Sequence, residues 1–113
     1  MRVGIYARVS TDIQAKEGDS IQAQLSALRE YAKKNNYEVV GEFVDDGISG
    51  VLLDERDELQ HLLECVKNGD IDLIIFTRLD RWFRSIRHYL NVQDTLDRYG
   101  VPWRAVWESF ETQ

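Results

Sequence analysis

Two segments of this sequence carry side chains that could do chemistry together. The first is Arg8-Val9-Ser10, a guanidinium and a hydroxyl two residues apart near the N-terminus. The second runs from Arg78 to Arg84 and holds Arg78, Arg81 and Arg84 around Asp80. Arginine presents a planar fork of donors that matches a phosphate bidentately and never deprotonates. A serine hydroxyl is a weak nucleophile by itself and needs either a base or a strongly cationic setting. His61 and His88 fall outside both segments, so arginine electrostatics would have to carry activation. Phosphoryl transfer is chemistry of that kind, because its catalysis is mainly positioning and charge stabilisation. The plainer alternatives are that Ser10 ends a strand, as hydroxyls often do, and that the arginines pair with Asp80 and other acids. Three arginines near a helix start are nevertheless a misfit, since a helix N-terminus disfavours cations and an incoming phosphate would relieve it.

The elements that must position these groups are legible from hydropathy. Val3, Ile5, Tyr6 and Val9 form a short apolar run that reads as a buried parallel strand. Period two then places Tyr6, Arg8 and Ser10 on one face, with Arg8 and Ser10 emerging at the carboxyl end. Residues 12–19 read as a loop. Asp19 or Ser20 offers an N-cap, and Ile21, Leu25, Leu28 and Ala32 follow at helical spacing to about Lys34, where Asn35-Asn36 stops the helix. Tyr37 to Val44 is a second strand, and Asp45-Asp46-Gly47-Ile48-Ser49-Gly50 is turn-rich. A second helix runs from Arg56 or Asp57 to about Asn68 on the stripe Leu59, Leu62, Leu63 and Val66, with Gly69 just past its end. Ile71 to Phe76 is a third strand, Ser85 to about Tyr99 a third helix closed by Gly100, and Val101 to Trp107 a fourth strand. The pattern predicts an α/β fold with an open, mainly parallel four-stranded sheet flanked by helices, a flavodoxin-like three-layer arrangement. In such sheets ligands bind beyond the carboxyl ends of the strands, where Arg8/Ser10, the loop 45–56 and the segment 78–84 all converge.

At 113 residues the chain reads as one domain with room for a real core. No apolar run approaches the roughly 20 residues of a membrane span, and no signal peptide is visible. The single cysteine, Cys65, has no internal partner, fits a reducing compartment, and sits among apolar neighbours as a small core residue. The isolated histidines give no metal site, and Gly47-Ile48-Ser49-Gly50 lacks the lysine and spacing of a P-loop. A net charge of −6 argues against a general nucleic-acid binder, so any contact with DNA must be local.

Taken together, Tyr6-Ala7-Arg8-Val9-Ser10-Thr11, Ser20-Ile21-Gln22-Ala23-Gln24, Asp46-Gly47-Ile48-Ser49-Gly50, Arg56, and Leu79-Asp80-Arg81 with Arg84 resemble the catalytic domain of the serine recombinases, the resolvase/invertase family. The motifs occur in order along essentially the whole chain. Asp-Gly-Ile-Ser-Gly and the long loop before Ile21 look more like the large serine integrases and transposon recombinases. The resemblance implies that Ser10 attacks a DNA phosphodiester to give a 5′-phosphoserine link and a free 3′-hydroxyl, followed by strand exchange and religation, with neither metal nor cofactor. It implies that Arg8, Arg81 and Arg84 hold the scissile phosphate, with Arg56 a further active-site arginine. It also matches Gln22 to the active-site glutamine and Asp80 to the acid beside the arginines. The implied partners are double-stranded DNA and further copies of the chain, as dimer and tetramer, in the cytoplasm of a bacterium or of the host of a phage or transposon.

The chain departs from the family at Trp82-Phe83, where many relatives have a small residue before the second arginine; core packing is the expectation for both, with a surface contact as the alternative. It also stops where the family's long dimerisation helix would be approached. The expectation is therefore a catalytic-domain fragment that folds but does not recombine DNA alone, its acidic balance reflecting DNA-binding parts that lie elsewhere. Two other functions compete. One is a non-catalytic flavodoxin-like regulatory or interaction module, and the other a metal-dependent nuclease using Asp45, Asp46 and Asp80, although neighbouring arginines would repel the ion.

Overall fold

The structure, a computed structural model, describes residues 1–9, 20–46, 57–78, 86–107 and 110–111. The elements are β1 (Arg2–Val9), α1 (Ile21–Lys34), β2 (Glu38–Asp46), α2 (Asp57–Lys67), β3 (Leu73–Phe76), α3 (Ile86–Tyr99), β4 (Trp103–Ala105) and β5 (Phe110–Glu111). They form one sheet in the order β2-β1-β3-β4-β5. β1 to β4 are parallel and β5 is antiparallel to β4. The four-stranded parallel sheet expected from the sequence is present. The two-residue β5 is an addition that hydropathy does not signal.

Period two along the strands sorts their side chains into two cores. Val3, Ile5 and Ala7 of β1 join Leu73 and Ile75 of β3 under Leu25, Leu28 and Ala32 of α1. Tyr6 joins Ile74 and Phe76 on the opposite face, under Leu59, Leu62 and Val66 of α2 and Val92 and Leu96 of α3. These apolar stripes recur every three to four residues, which is why the segments fold as helices against the sheet. Gly4 lies on the α2 face where the approach is tight. A Cβ there would come within 2.8 Å of Ile71 Cδ1 and 2.9 Å of Leu62 Cδ1.

The three described helices stop by the same device. Asn36, Gly69 and Gly100 adopt φ of 59°, 79° and 68°. The next N–H then reaches back five residues, from Tyr37 to Ala32, Asp70 to Cys65 and Val101 to Leu96. This satisfies the last carbonyls of each helix, as the two glycines and Asn35-Asn36 indicate in the sequence. β3 begins at Leu73, two residues later than its apolar pattern, because Asp72 has another task. Its carboxylate accepts from the main-chain N–H and the guanidinium of Arg2, locking the N-terminus of β1 to the α2–β3 connection.

Candidate active site at the carboxyl edge of the sheet

β1 and β2 remain paired to the end, with Arg8 opposite Asp45 and Val9 opposite Asp46. β1 and β3 part earlier, after Ile5 and Ile75. The separation leaves main-chain groups of β1 without a strand partner, and a side chain supplies one. The Gln24 carboxamide accepts from the Arg8 N–H at 3.3 Å and donates to the Arg8 carbonyl at 3.2 Å. Gln24 is fully buried, so one amide from α1 stands in for the missing strand and fixes the backbone that carries Arg8. α1 itself is started by Ser20, whose Oγ accepts from the Ala23 N–H at 3.2 Å, a conventional N-cap.

A second polar link lies on the other face of β1. The Tyr6 hydroxyl donates to Asp45 Oδ2 at 2.7 Å. The same carboxylate accepts from the main-chain N–H groups of Glu58 at 3.1 Å and Leu59 at 3.3 Å. β1, β2 and the first turn of α2 therefore meet on one buried acid. Beyond β3, Thr77 is fully buried and its Oγ1 has no partner among the described residues. Its carbonyl accepts from Trp107 N–H at 2.9 Å.

Of the residues singled out in the sequence, Arg8 lies at this edge and is completely buried rather than standing in solvent. Gln22 is exposed on the first turn of α1, and Gln24, two residues on, is the glutamine that reaches Arg8. Ser10, Arg56, Asp80, Arg81 and Arg84 lie outside the described residues, as do Trp82 and Phe83. Gln24 and Asp45 are the contributors that the sequence reading missed in these roles. Each had a signal. Gln24 falls three residues after Ile21 and four before Leu28, on the apolar stripe of α1, where a polar side chain must find a buried partner. Asp45 follows Phe43 by two, on the face that packs into the α2 core.

The alternatives meet specific obstacles here. The Asp45 carboxylate is committed to three donors and is 2% exposed, an arrangement that leaves it little capacity for a cation. Among the described residues no group of three His, Cys, Asp or Glu could hold a metal ion. His61 pairs with Glu58 on the surface of α2. Cys65 is half-buried, and burial together with the charges of Asp70 and Glu64 pushes its thiol pKa up, away from a reactive thiolate.

Comparison with known proteins agrees along nearly the whole chain. Residues 3–113 match the family described as Resolvase, N terminal domain. A Bacillus subtilis (strain 168) protein carrying a DNA-recombinase name is 37% identical over 100 residues, 88% of this chain but 19% of its own length. A Clostridium perfringens (strain 13 / Type A) resolvase is 34% identical over 112 residues, 97% of this chain and 51% of the relative. The chain thus spans about a fifth and about half of these two relatives. Among solved structures, the N-terminal catalytic domain of TP901-1 integrase superposes with a TM-score of 0.88 at 36% identity, covering 99% of this chain and 82% of that one. A resolvase family site-specific recombinase from Streptococcus pneumoniae gives 0.82 at 32% identity, covering 99% and 76%.

Proposed function

This chain belongs to the resolvase N-terminal domain family, and from that premise we propose that it is the catalytic domain of a site-specific DNA recombinase with Ser10 as its nucleophile. The observation that carries the reading is the span of the family match, residues 3–113. It takes in every motif segment from Tyr6 through Arg84. In the proposed reaction the Ser10 oxygen attacks a backbone phosphorus. An Oγ–P bond forms, the bond from phosphorus to the 3′-oxygen breaks, the serine gives up its proton and the departing oxygen gains one. The phosphoserine ester conserves the energy of the broken bond, so a 3′-hydroxyl from another duplex end can reverse the step and reseal the strand.

The arginines at positions 8, 56, 81 and 84 neutralise the phosphate and the charge that develops on it. Asp80 orients an arginine or assists a proton transfer, and Gln22 takes the part of the family's glutamine. Arg8 is fully buried at this edge, its main chain held by the Gln24 amide. The partners in this reading are double-stranded DNA and further copies of the chain, as dimers and tetramers, in the cytoplasm.

The test is covalent trapping. Labelled site DNA is incubated with the protein in EDTA, the reaction is quenched in denaturant, and a protein–DNA adduct is sought. The expected result is an adduct that disappears in Ser10→Ala. Cleavage that survives Ser10→Ala but stops with EDTA would point to a metal-dependent nuclease instead. Bound site DNA that gives neither adduct nor cleavage would favour an interaction module.

A further inference from the structure

We propose that Arg104, Tyr31 and Tyr37 form a binding site for a phosphate oxyanion on the α1 face of the sheet. Arg104 is the middle residue of β4 and lies opposite Ile75 of β3. Ile75 belongs to the core beneath α1, and Tyr31 and Tyr37 pack half-buried against that same core. Trp103 and Ala105, on either side of Arg104, join the opposite core with Tyr6, so period two turns Arg104 to the α1 face. One nitrogen gathers the three side chains. Arg104 Nη1 donates to the Tyr31 hydroxyl at 3.1 Å and to the Tyr37 hydroxyl at 2.9 Å. The tyrosines come from 73 and 67 residues away in sequence, one within α1 and the other between α1 and β2.

The cluster brings donors and positive charge together. A guanidinium has no acceptor, and a phenol that accepts from arginine keeps its own O–H to give. Phenols also accept without cancelling the charge of the guanidinium. Because they share one nitrogen, the two hydroxyls lie close enough for a single tetrahedral oxyanion to bridge them. Their rings pack against each other, with centroids 6.2 Å apart and planes tilted by 58°, which holds the pair in a fixed relation. The bond to Tyr31 raises the Arg104 pKa above its ordinary value against the opposing effect of burial, so the charge persists at any working pH. Core packing alone does not call for a guanidinium here. A branched apolar side chain opposite Ile75 would extend the α1-side core without desolvating a charge. All three residues are only half-buried, so the cluster stays partly open to solvent. A phosphate oxygen there accepts from both phenols and gains the charge-assisted interaction that arginine makes with phosphate.

An NMR titration of this chain with inorganic phosphate, against chloride at matched ionic strength, tests the site. Saturable shifts are expected at the signals of Tyr31, Tyr37 and Arg104. Arg104→Gln should weaken phosphate binding by roughly 10-fold or more, since charge-assisted hydrogen bonds are the strong ones. Tyr31→Phe and Tyr37→Phe each remove one donor, keep the ring, and should weaken binding by about 3–10-fold. They carry the test if Arg104→Gln does not fold. Glu111 stands opposite Arg104 in the β4–β5 ladder, and removing its charge in Glu111→Gln should tighten binding by roughly twofold or more. Thermal melts separate binding from plain stabilisation. A purely structural cluster would lose the same stability in phosphate as in chloride, whereas here the phosphate-dependent rise in melting temperature should fall away with the affinity. A short DNA duplex then identifies the source of the phosphate. Displacement of inorganic phosphate from these signals would assign the site to a nucleic-acid phosphodiester, and signals undisturbed by the duplex would assign it to a free or small-molecule phosphate. Shifts that are absent, or that persist undiminished in Arg104→Gln and both phenylalanine variants, would overturn the proposal. Neither result touches the Ser10 adduct, which is read in a separate assay.

Discussion

Replacing Gln24 should reveal how much of the candidate site depends on one amide. In Gln24→Leu the Arg8 N–H and carbonyl both lose their side-chain partner, at a position with no solvent exposure. Each buried main-chain group left unsatisfied costs about 1–3 kcal/mol. Leucine relieves the desolvation of the amide and adds apolar contact, so a net loss of about 2–4 kcal/mol is expected. At roughly 4 °C per kcal/mol for a domain of this size, Tm should fall by roughly 8–16 °C. Gln24→Glu gives a sharper signature. A protonated glutamic acid can reproduce both bonds, its O–H donating to the Arg8 carbonyl and its C=O accepting from the N–H. The ionised form can only accept, and it places a buried charge against a carbonyl. The folded-state pKa of that acid is therefore raised above its unfolded value of about 4.3. Its stabilising contribution is present in full below that value and is lost as pH rises through the folded pKa. Urea unfolding from pH 4 to 8 should show Gln24→Glu close to the parent at the acid end and progressively weaker toward neutrality. A Gln24→Leu protein within about 0.5 kcal/mol of the parent, the range of ordinary surface changes, together with a Gln24→Glu deficit that ignores pH, would refute the reasoning.

Two further outcomes follow from the described contacts. Gly4→Ala should destabilise by about 1–3 kcal/mol in urea unfolding, because its methyl must displace Ile71 and Leu62 in a packed core; an unchanged midpoint would mean that the core has room. On the surface, Arg29 holds the Glu42 carboxyl below the usual carboxylate range, first by a hydrogen bond and then by charge, against the opposing effect of burial. A depressed carboxylate contributes stability above its unfolded pKa of about 4.3 and loses it as pH falls through the folded value. Arg29→Gln should accordingly lower stability modestly above that window and converge on the parent below it, so that the acid limb of stability against pH is flattened.

The βαβαβαβ order could be read from the sequence because each element announces itself locally. Apolar runs of strand length alternate with three-to-four-residue stripes, and Asn36, Gly69 and Gly100 stop the helices where the pattern ends. Local pattern misjudged β3 because Ile71 is buried whether or not it pairs, and Asp72 is diverted to Arg2. It had no purchase on β5, whose two residues carry no periodicity.

The site was legible as residue types and opaque as partnerships. The resemblance matches the family's glutamine to Gln22, which stands exposed on the first turn of α1, while the amide held against the Arg8 main chain is that of the buried Gln24. Helical geometry alone separates the two, since only Gln24 shares the face of Ile21, Leu25 and Leu28. The pairing of Asp45 with Tyr6, 39 residues away, could not be read in this way, because nothing in a strand's own sequence says which neighbour will lie beside it. Both cases nevertheless obey one rule. A polar side chain spaced into an apolar stripe must be satisfied when buried, and a partner it can satisfy at the carboxyl edge of this sheet is main chain that the diverging strands or a starting helix leave unpaired. The residues that shape the edge are therefore the polar exceptions in its apolar pattern, and Arg8 is carried on the backbone those exceptions hold.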